Sequence, residues 1–175
     1  MRGRRPRGRR PRFLPRGRLV VLLDTGPLLE RTAEELGAGC ASSPGLRELL
    51  AKAEKLVAGA EYVATVCPVY VEVLHLFDSR CKGRLRGELG AARSRLARML
   101  MDVKEVVFDL KSALSLISDA AWLDLADAAL IVAAEELLGQ GTPVALLTLD
   151  ARLAGKARER GVPAATLWEL ASLLS

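Results

Sequence analysis

From Leu19 onward, short apolar runs alternate with longer stretches in which apolar positions recur every three to four residues. The runs at 19–23, 62–66, 144–147 and 164–166, with a weaker one at 105–108, have the length of buried strands. Helical spacing covers 27–36, 44–58, 68–79, 84–102, 110–121, 125–139, 150–160 and 168–174. Pro27 and Pro68 stand where a first helical turn accepts proline, and Gly139, Gly141 and Gly161 fall at helix ends. Strands separated by helices imply a parallel sheet covered on both faces. The pattern therefore predicts a three-layer α/β/α sandwich, with helices 27–36 and 44–58 forming a helical hairpin inserted after strand one.

Residues 1–18 break this pattern. They hold nine of the chain's 26 basic residues and no acid, and they repeat Arg-Gly-Arg-Arg-Pro-Arg almost twice. The remaining 17 basic residues face 21 acidic ones, so the net charge of +5 belongs to the segment and the rest of the chain carries −4. Without an apolar period the segment is expected to be disordered. Two readings stay open: an arm whose arginines neutralise nucleic-acid phosphates, or a start codon placed upstream of the true one. Residues 19–175 form one domain, with half of all residues hydrophobic and length enough for a substantial core.

Cys40, Cys67 and Cys81 show neither CxxC nor Cys/His spacing, so three buried free thiols in a reducing compartment are expected. No apolar run approaches the ~18 residues that span a bilayer. Leu19–Leu23 is also shorter than the about 7–15 residues of a signal-peptide core. A cytoplasmic protein with no membrane partner follows. The chain has no Asn, one Gln and 20 Arg against six Lys. A G+C-rich genome accounts for this, and so does a hot habitat, where amides are scarce.

Four acids carry the candidate chemistry. Asp24 ends the first apolar run and Asp150 follows the run at 144–147. Glu72 stands in Val69-Tyr70-Val71-Glu72-Val73-Leu74, where a charge needs a cation or a cleft. Asp124 and Asp127 are one turn apart where the chain enters a helix, Asp124 as its cap and Asp127 pointing toward the site. Capping is the alternative role for Asp24 and Asp150, and metal contribution is the alternative for Asp124. Carboxylates at the carboxyl ends of parallel strands make a site for a hard divalent cation, Mg²⁺ or Mn²⁺. Asp24-Thr25-Gly26 also matches words used by other hydrolases. Aspartic proteases need two such motifs on a β-rich scaffold, and haloacid-dehalogenase-type phosphatases need an acid where Gly26 stands. His75 lies one turn from Glu72, but a second Glu-x-x-His motif is absent, and it is read as packing or support for the site.

The set resembles the PIN domain family of metal-dependent nucleases over residues 19 to about 170. The matching pieces are Val20-Val21-Leu22-Leu23-Asp24-Thr25, Glu72 on its apolar helix, Leu123-Asp124-Leu125-Ala126-Asp127-Ala128, and Leu146-Leu147-Thr148-Leu149-Asp150. Asp124 replaces the capping Ser of the family motif. The resemblance implies that Asp24, Glu72, Asp127 and Asp150 are the catalytic metal ligands. Thr25 and Thr148 would be supporting residues. It also implies Mg²⁺- or Mn²⁺-dependent cleavage of single-stranded RNA. The biological setting would be the toxin of a toxin–antitoxin pair, with an antitoxin protein as partner, or ribosomal RNA processing. Related domains pair through their helices, so a homodimer is a further implication.

An acidic site that holds a polyanion needs basic residues at its rim. Arg80, Lys82, Arg84, Arg86, Arg93, Arg95 and Arg98 face only Glu88 on the segment after the Glu72 helix, and Arg84, Arg86 and Arg93 are chosen as RNA contacts. Aromatic residues number seven, too few to expect readout by base stacking. Two other functions remain: a non-catalytic RNA-binding or assembly module on the same fold, and a phosphatase-like hydrolase of small substrates.

Overall fold

The computed structural model describes residues 19–173 apart from 58, 59, 61 and 86. The basic segment 1–18 and Arg86 lie outside the described residues. Five strands, β1 (Val20–Leu23), β2 (Tyr62–Thr65), β3 (Lys104–Glu105), β4 (Val144–Thr148) and β5 (Ala164–Thr166), form one sheet in the order β3-β2-β1-β4-β5. Every neighbouring pair is parallel. The central strand β1 is buried along its whole length, which is why its four residues are all Val or Leu.

Among the described residues eight helices flank the sheet in an α/β/α arrangement: α1 (Thr25–Glu35), α2 (Pro44–Val57), α3 (Cys67–Cys81), α4 (Leu89–Leu100), α5 (Leu110–Asp119), α6 (Leu125–Gly139), α7 (Ala151–Glu159) and α8 (Leu167–Leu173). Helices α1, α3, α4 and α6 contact one another in one group, while α2 packs on α1 and α8. Helix α6 is apolar on nearly every face because it is buried on nearly every face. Among the described residues no helix is long and apolar enough to cross a membrane.

Three details depart from the sequence pattern. Helix α4 begins at Leu89, after turns and a bend at 82–85 and a turn at 87–88 with Gly87 at φ 81°, where the sequence suggested a helix from 84. Strand β3 is a two-residue exposed edge at Lys104–Glu105, one residue ahead of the expected run. The cysteines are not three thiols: Cys40 and Cys81 form a disulfide, with Cα atoms 5.2 Å apart, and Cys67 is exposed. The bond closes the α1–α2 connection onto the end of α3. A separation of 41 residues gave no local spacing signal to read.

Candidate metal centre

The strand order reverses at β1. The chain builds β1, β2 and β3 outward in one direction, then returns to place β4 on the other side of β1. The crevice outside the carboxyl ends of β1 and β4 is the topological switch point, where open α/β sheets bind ligands. Asp24 and Asp150 flank that crevice. Each ends a connection from a strand and caps the helix that follows. Asp24 Oδ1 accepts from the Thr25 N–H at 2.6 Å, and Asp150 Oδ1 accepts from the Arg152 and Leu153 N–H groups at 2.6 and 3.4 Å.

Asp124 is the N-cap of α6, its Oδ1 accepting from the Asp127 N–H at 2.9 Å. Asp127 then sits in the first helical turn, and no hydrogen bond from a described residue reaches its carboxyl group. Glu72 comes from the second turn of α3, which starts where β2 ends. The expected capping roles of Asp24, Asp124 and Asp150 are thus all realised, and they coexist with the gathering of the acids at one edge.

Two threonine hydroxyls tie this set together. The Thr25 hydroxyl donates to Glu72 Oε2 at 2.6 Å, linking α1 to α3. The Thr148 hydroxyl donates to Asp24 Oδ2 at 2.6 Å and accepts from the Asp150 N–H at 2.9 Å, linking β1 to the β4–α7 turn. Both threonines are buried, and both are at the positions the sequence singled out. Gly26 belongs to the same assembly. A Cβ there would lie 2.5 Å from Leu149 Cδ1, so any larger residue must turn the Leu149 side chain aside.

The electrostatics follow from burial and crowding. Burial pushes the Asp24 carboxyl up, the Thr148 and Thr25 hydrogen bonds oppose this, and Asp124 and Asp150 push it further. Burial also raises Glu72, opposed by Thr25 and reinforced by Asp124 and Asp24. Asp127 is pushed up to about 7, first by burial and then by Asp124, Asp24, Asp150 and Glu72. None of these five carboxylates is ion-paired among the described residues.

Oxygen donors of this kind suit Mg²⁺ or Mn²⁺. As the side chains stand, no three His, Cys, Asp or Glu groups among the described residues are arranged to enclose a metal ion. Mg²⁺ is commonly bound through only one or two carboxylates plus waters, so a closed cage is not required. The donor chemistry, all carboxylate oxygen, is of the kind that suits such an ion, and Asp127 is the carboxylate that no hydrogen bond from a described residue reaches.

No protein-family model and no curated protein matches the chain. Among solved structures, the crystal structure of PAE2754 from Pyrobaculum aerophilum is similar, with a TM-score of 0.56 and 19% identity. The match covers 89% of this chain and 97% of that one. The two chains share a fold. At this identity the likeness carries nothing about chemistry.

The basic residues are placed differently from the acids. Arg80 is eight residues beyond Glu72 on α3, about 12 Å along the helix axis and away from the crevice. Its Nη1 donates to the Ala41 carbonyl at 3.1 Å, so it fastens the α1–α2 connection. Arg93 Nη1 lies 3.3 Å from Asp78 Oδ2, joining α4 to α3. Lys82, Arg84, Arg95 and Arg98 are exposed. His75 is exposed on α3 as well, and the packing role expected of it is not found. Sequence reasoning passed over Trp122 and Arg152, whose rings and charges meet beside the acids with the guanidinium carbon 4.4 Å from the indole centroid. The signal was their positions: Trp122 is two residues before Asp124, and Arg152 two after Asp150.

Proposed function

We propose that this protein is a Mg²⁺- or Mn²⁺-dependent endoribonuclease that hydrolyses phosphodiester bonds of single-stranded RNA. The observation that carries this reading is the set of five carboxylates at the switch point with no ion pair among the described residues, and with Asp127 pushed up to about 7. Carboxylates that repel one another in a partly buried crevice are costly unless a cation joins them. The resemblance of the same residues to the PIN domain pattern supplies the reaction class.

In this reading Asp24, Glu72, Asp127 and Asp150 hold the metal, with Asp124 adjacent. A bound ion would supply a water of lowered pKa and positive charge to balance the phosphate in an in-line displacement. Thr148 fixes the orientation of Asp24, and Thr25 that of Glu72, so that the carboxylates are preset rather than mobile. The exposed cations at Lys82, Arg84, Arg95 and Arg98 are the groups that would hold the RNA backbone. An RNA substrate places the protein in the cytoplasm, as the toxin of an antitoxin pair or as an RNA-processing enzyme. A disulfide in that compartment and a scarcity of Asn and Gln both suit a hot-living cell.

The test is cleavage of a labelled RNA by the purified protein with Mg²⁺, Mn²⁺ or EDTA, alongside Asp24→Asn and Asp127→Asn. Metal-dependent cutting lost in both variants is expected, and cutting retained in both sinks the assignment. RNA binding without cutting under any metal would instead make the protein a binding module on the same fold.

A further inference from the structure

Trp122 lies in the turn between α5 and α6 and is 40% exposed. Indoles are large apolar groups, and a structural Trp in a domain with this much core is normally well covered. Its neighbour is Arg152 in the first turn of α7, stacked at 4.4 Å from the ring centroid. The contact therefore bridges the N-termini of α6 and α7, the helices capped by Asp124 and Asp150. Both acids act on Asp24, so the stacked pair sits on the lip of the acidic crevice.

The state of Arg152 is informative. It stands two residues from Asp150 and beside the most acidic region of the chain. Yet it forms no ion pair among the described residues, and its guanidinium lies against the indole instead. A guanidinium stacked by its face keeps its in-plane N–H groups free, and these match a phosphate.

We propose that Trp122 and Arg152 form a platform for single-stranded RNA at the lip of the site. The open surface of the indole stacks on a base next to the scissile phosphate, and Arg152 takes the neighbouring phosphate. This rests on the RNA reading above and adds to it the residues that seat the strand. An acidic crevice repels a polyanion, so binding there needs a contribution that does not depend on charge. Base stacking on an aromatic face is such a contribution and is open to any base. Double-stranded RNA keeps its bases stacked on one another and gains nothing from the platform, so the pair selects single strands.

The experiment uses the full chain carrying Asp127→Asn in Mg²⁺, so that the RNA stays intact. Short single-stranded RNAs carry one 2-aminopurine moved along the sequence, or one abasic nucleotide at the same places. One position is expected to be quenched on binding, and the abasic nucleotide there weakens binding roughly tenfold. Adding Trp122→Leu, which keeps apolar volume without a π-face, removes both the quenching and the abasic penalty, while Trp122→Phe retains part of each. Arg152→Gln weakens every RNA alike and reduces the slope of log affinity against log salt by about one. Intact and abasic RNAs bound equally well by the parent, or unaffected binding in Trp122→Leu, overturns the platform. Failure of the parent to bind any of the RNAs overturns it too. Metal-dependent cleavage by the wild-type chain is read separately. Cleavage with no effect of Trp122→Leu removes the platform and keeps the nuclease, whereas quenching without cleavage keeps the platform and removes the nuclease.

Discussion

The Thr148 hydroxyl works in two directions, donating to Asp24 and accepting from the backbone of Asp150. Its bond stabilises the ionised form of Asp24 against the upward push of burial. Thr148→Val removes that bond while keeping the volume, so Asp24 ionises at higher pH and is less firmly aimed. Cleavage is expected to fall ~10–100-fold, the usual cost of removing a partner behind a metal ligand. The loss should be smaller at alkaline pH, and a pH–rate profile of the variant beside wild type checks it. Asp127→Asn behaves differently. Asparagine relieves the crowding among the acids, so the metal-free variant should melt at or above the wild-type temperature while its cleavage falls to background. A variant that loses both fold and activity would argue that Asp127 is structural.

At the scale of elements, the decisive contacts lie between connections. The Asp24-Thr25-Gly26 entry to α1 meets the Leu149 side chain of the β4–α7 turn, so Gly26→Ala must turn that side chain, which stands between Thr148 and Asp150 in the chain. The expected outcome is a fall in cleavage larger than the fall in stability, read by assaying rate and urea denaturation on the same preparation.

The Cys40–Cys81 bond makes the opposite case. Cys81 is about 14 Å along α3 from Glu72, so it holds the far end of the helix rather than the site. Its removal acts on the unfolded chain, and for a separation of 41 residues the loop-closure account gives about 3–4 kcal/mol. Reduction, or Cys40→Ala with Cys81→Ala, should lower stability by about that much, measured by urea denaturation with and without dithiothreitol. Cleavage at temperatures where the fold persists should be unchanged.

For the whole molecule, the acids make stability a function of pH and metal. Asp127 has its ordinary value of 3.8 when unfolded and about 7 when folded. Below pH ~4 it is protonated in both states and costs nothing. From pH ~4 to about 7 the unfolded chain gives up this proton while the folded protein keeps it, so stability falls across that window and the full cost stands above pH 7. The metal-free protein should therefore melt lower at pH 8 than at pH 5 on account of this group. Mg²⁺ or Mn²⁺ should raise the melting temperature more at pH 8 than at pH 5. Thermal denaturation in EDTA and in each metal at both pH values checks this, and a metal effect independent of pH would remove Asp127 from the site.

The alternation of apolar runs with helical spacing determined the α/β class, and it placed four of the five strands within about a residue of their observed ends. Val20–Leu23, wholly apolar, could only be a strand buried on both faces. The acids were legible for a related reason: each stands at an element boundary or inside an apolar stretch, where a charge is conspicuous. Strand order, the disulfide and the Trp122–Arg152 stack were decided only by tertiary structure. Each depends on which distant segments become neighbours, across 41 residues for the cysteines and 124 for Thr148 and Asp24, and periodicity records nothing beyond its own element. The collective field on Asp127 is of the same kind, because a carboxyl group's charge is shaped by its neighbours in space rather than in sequence.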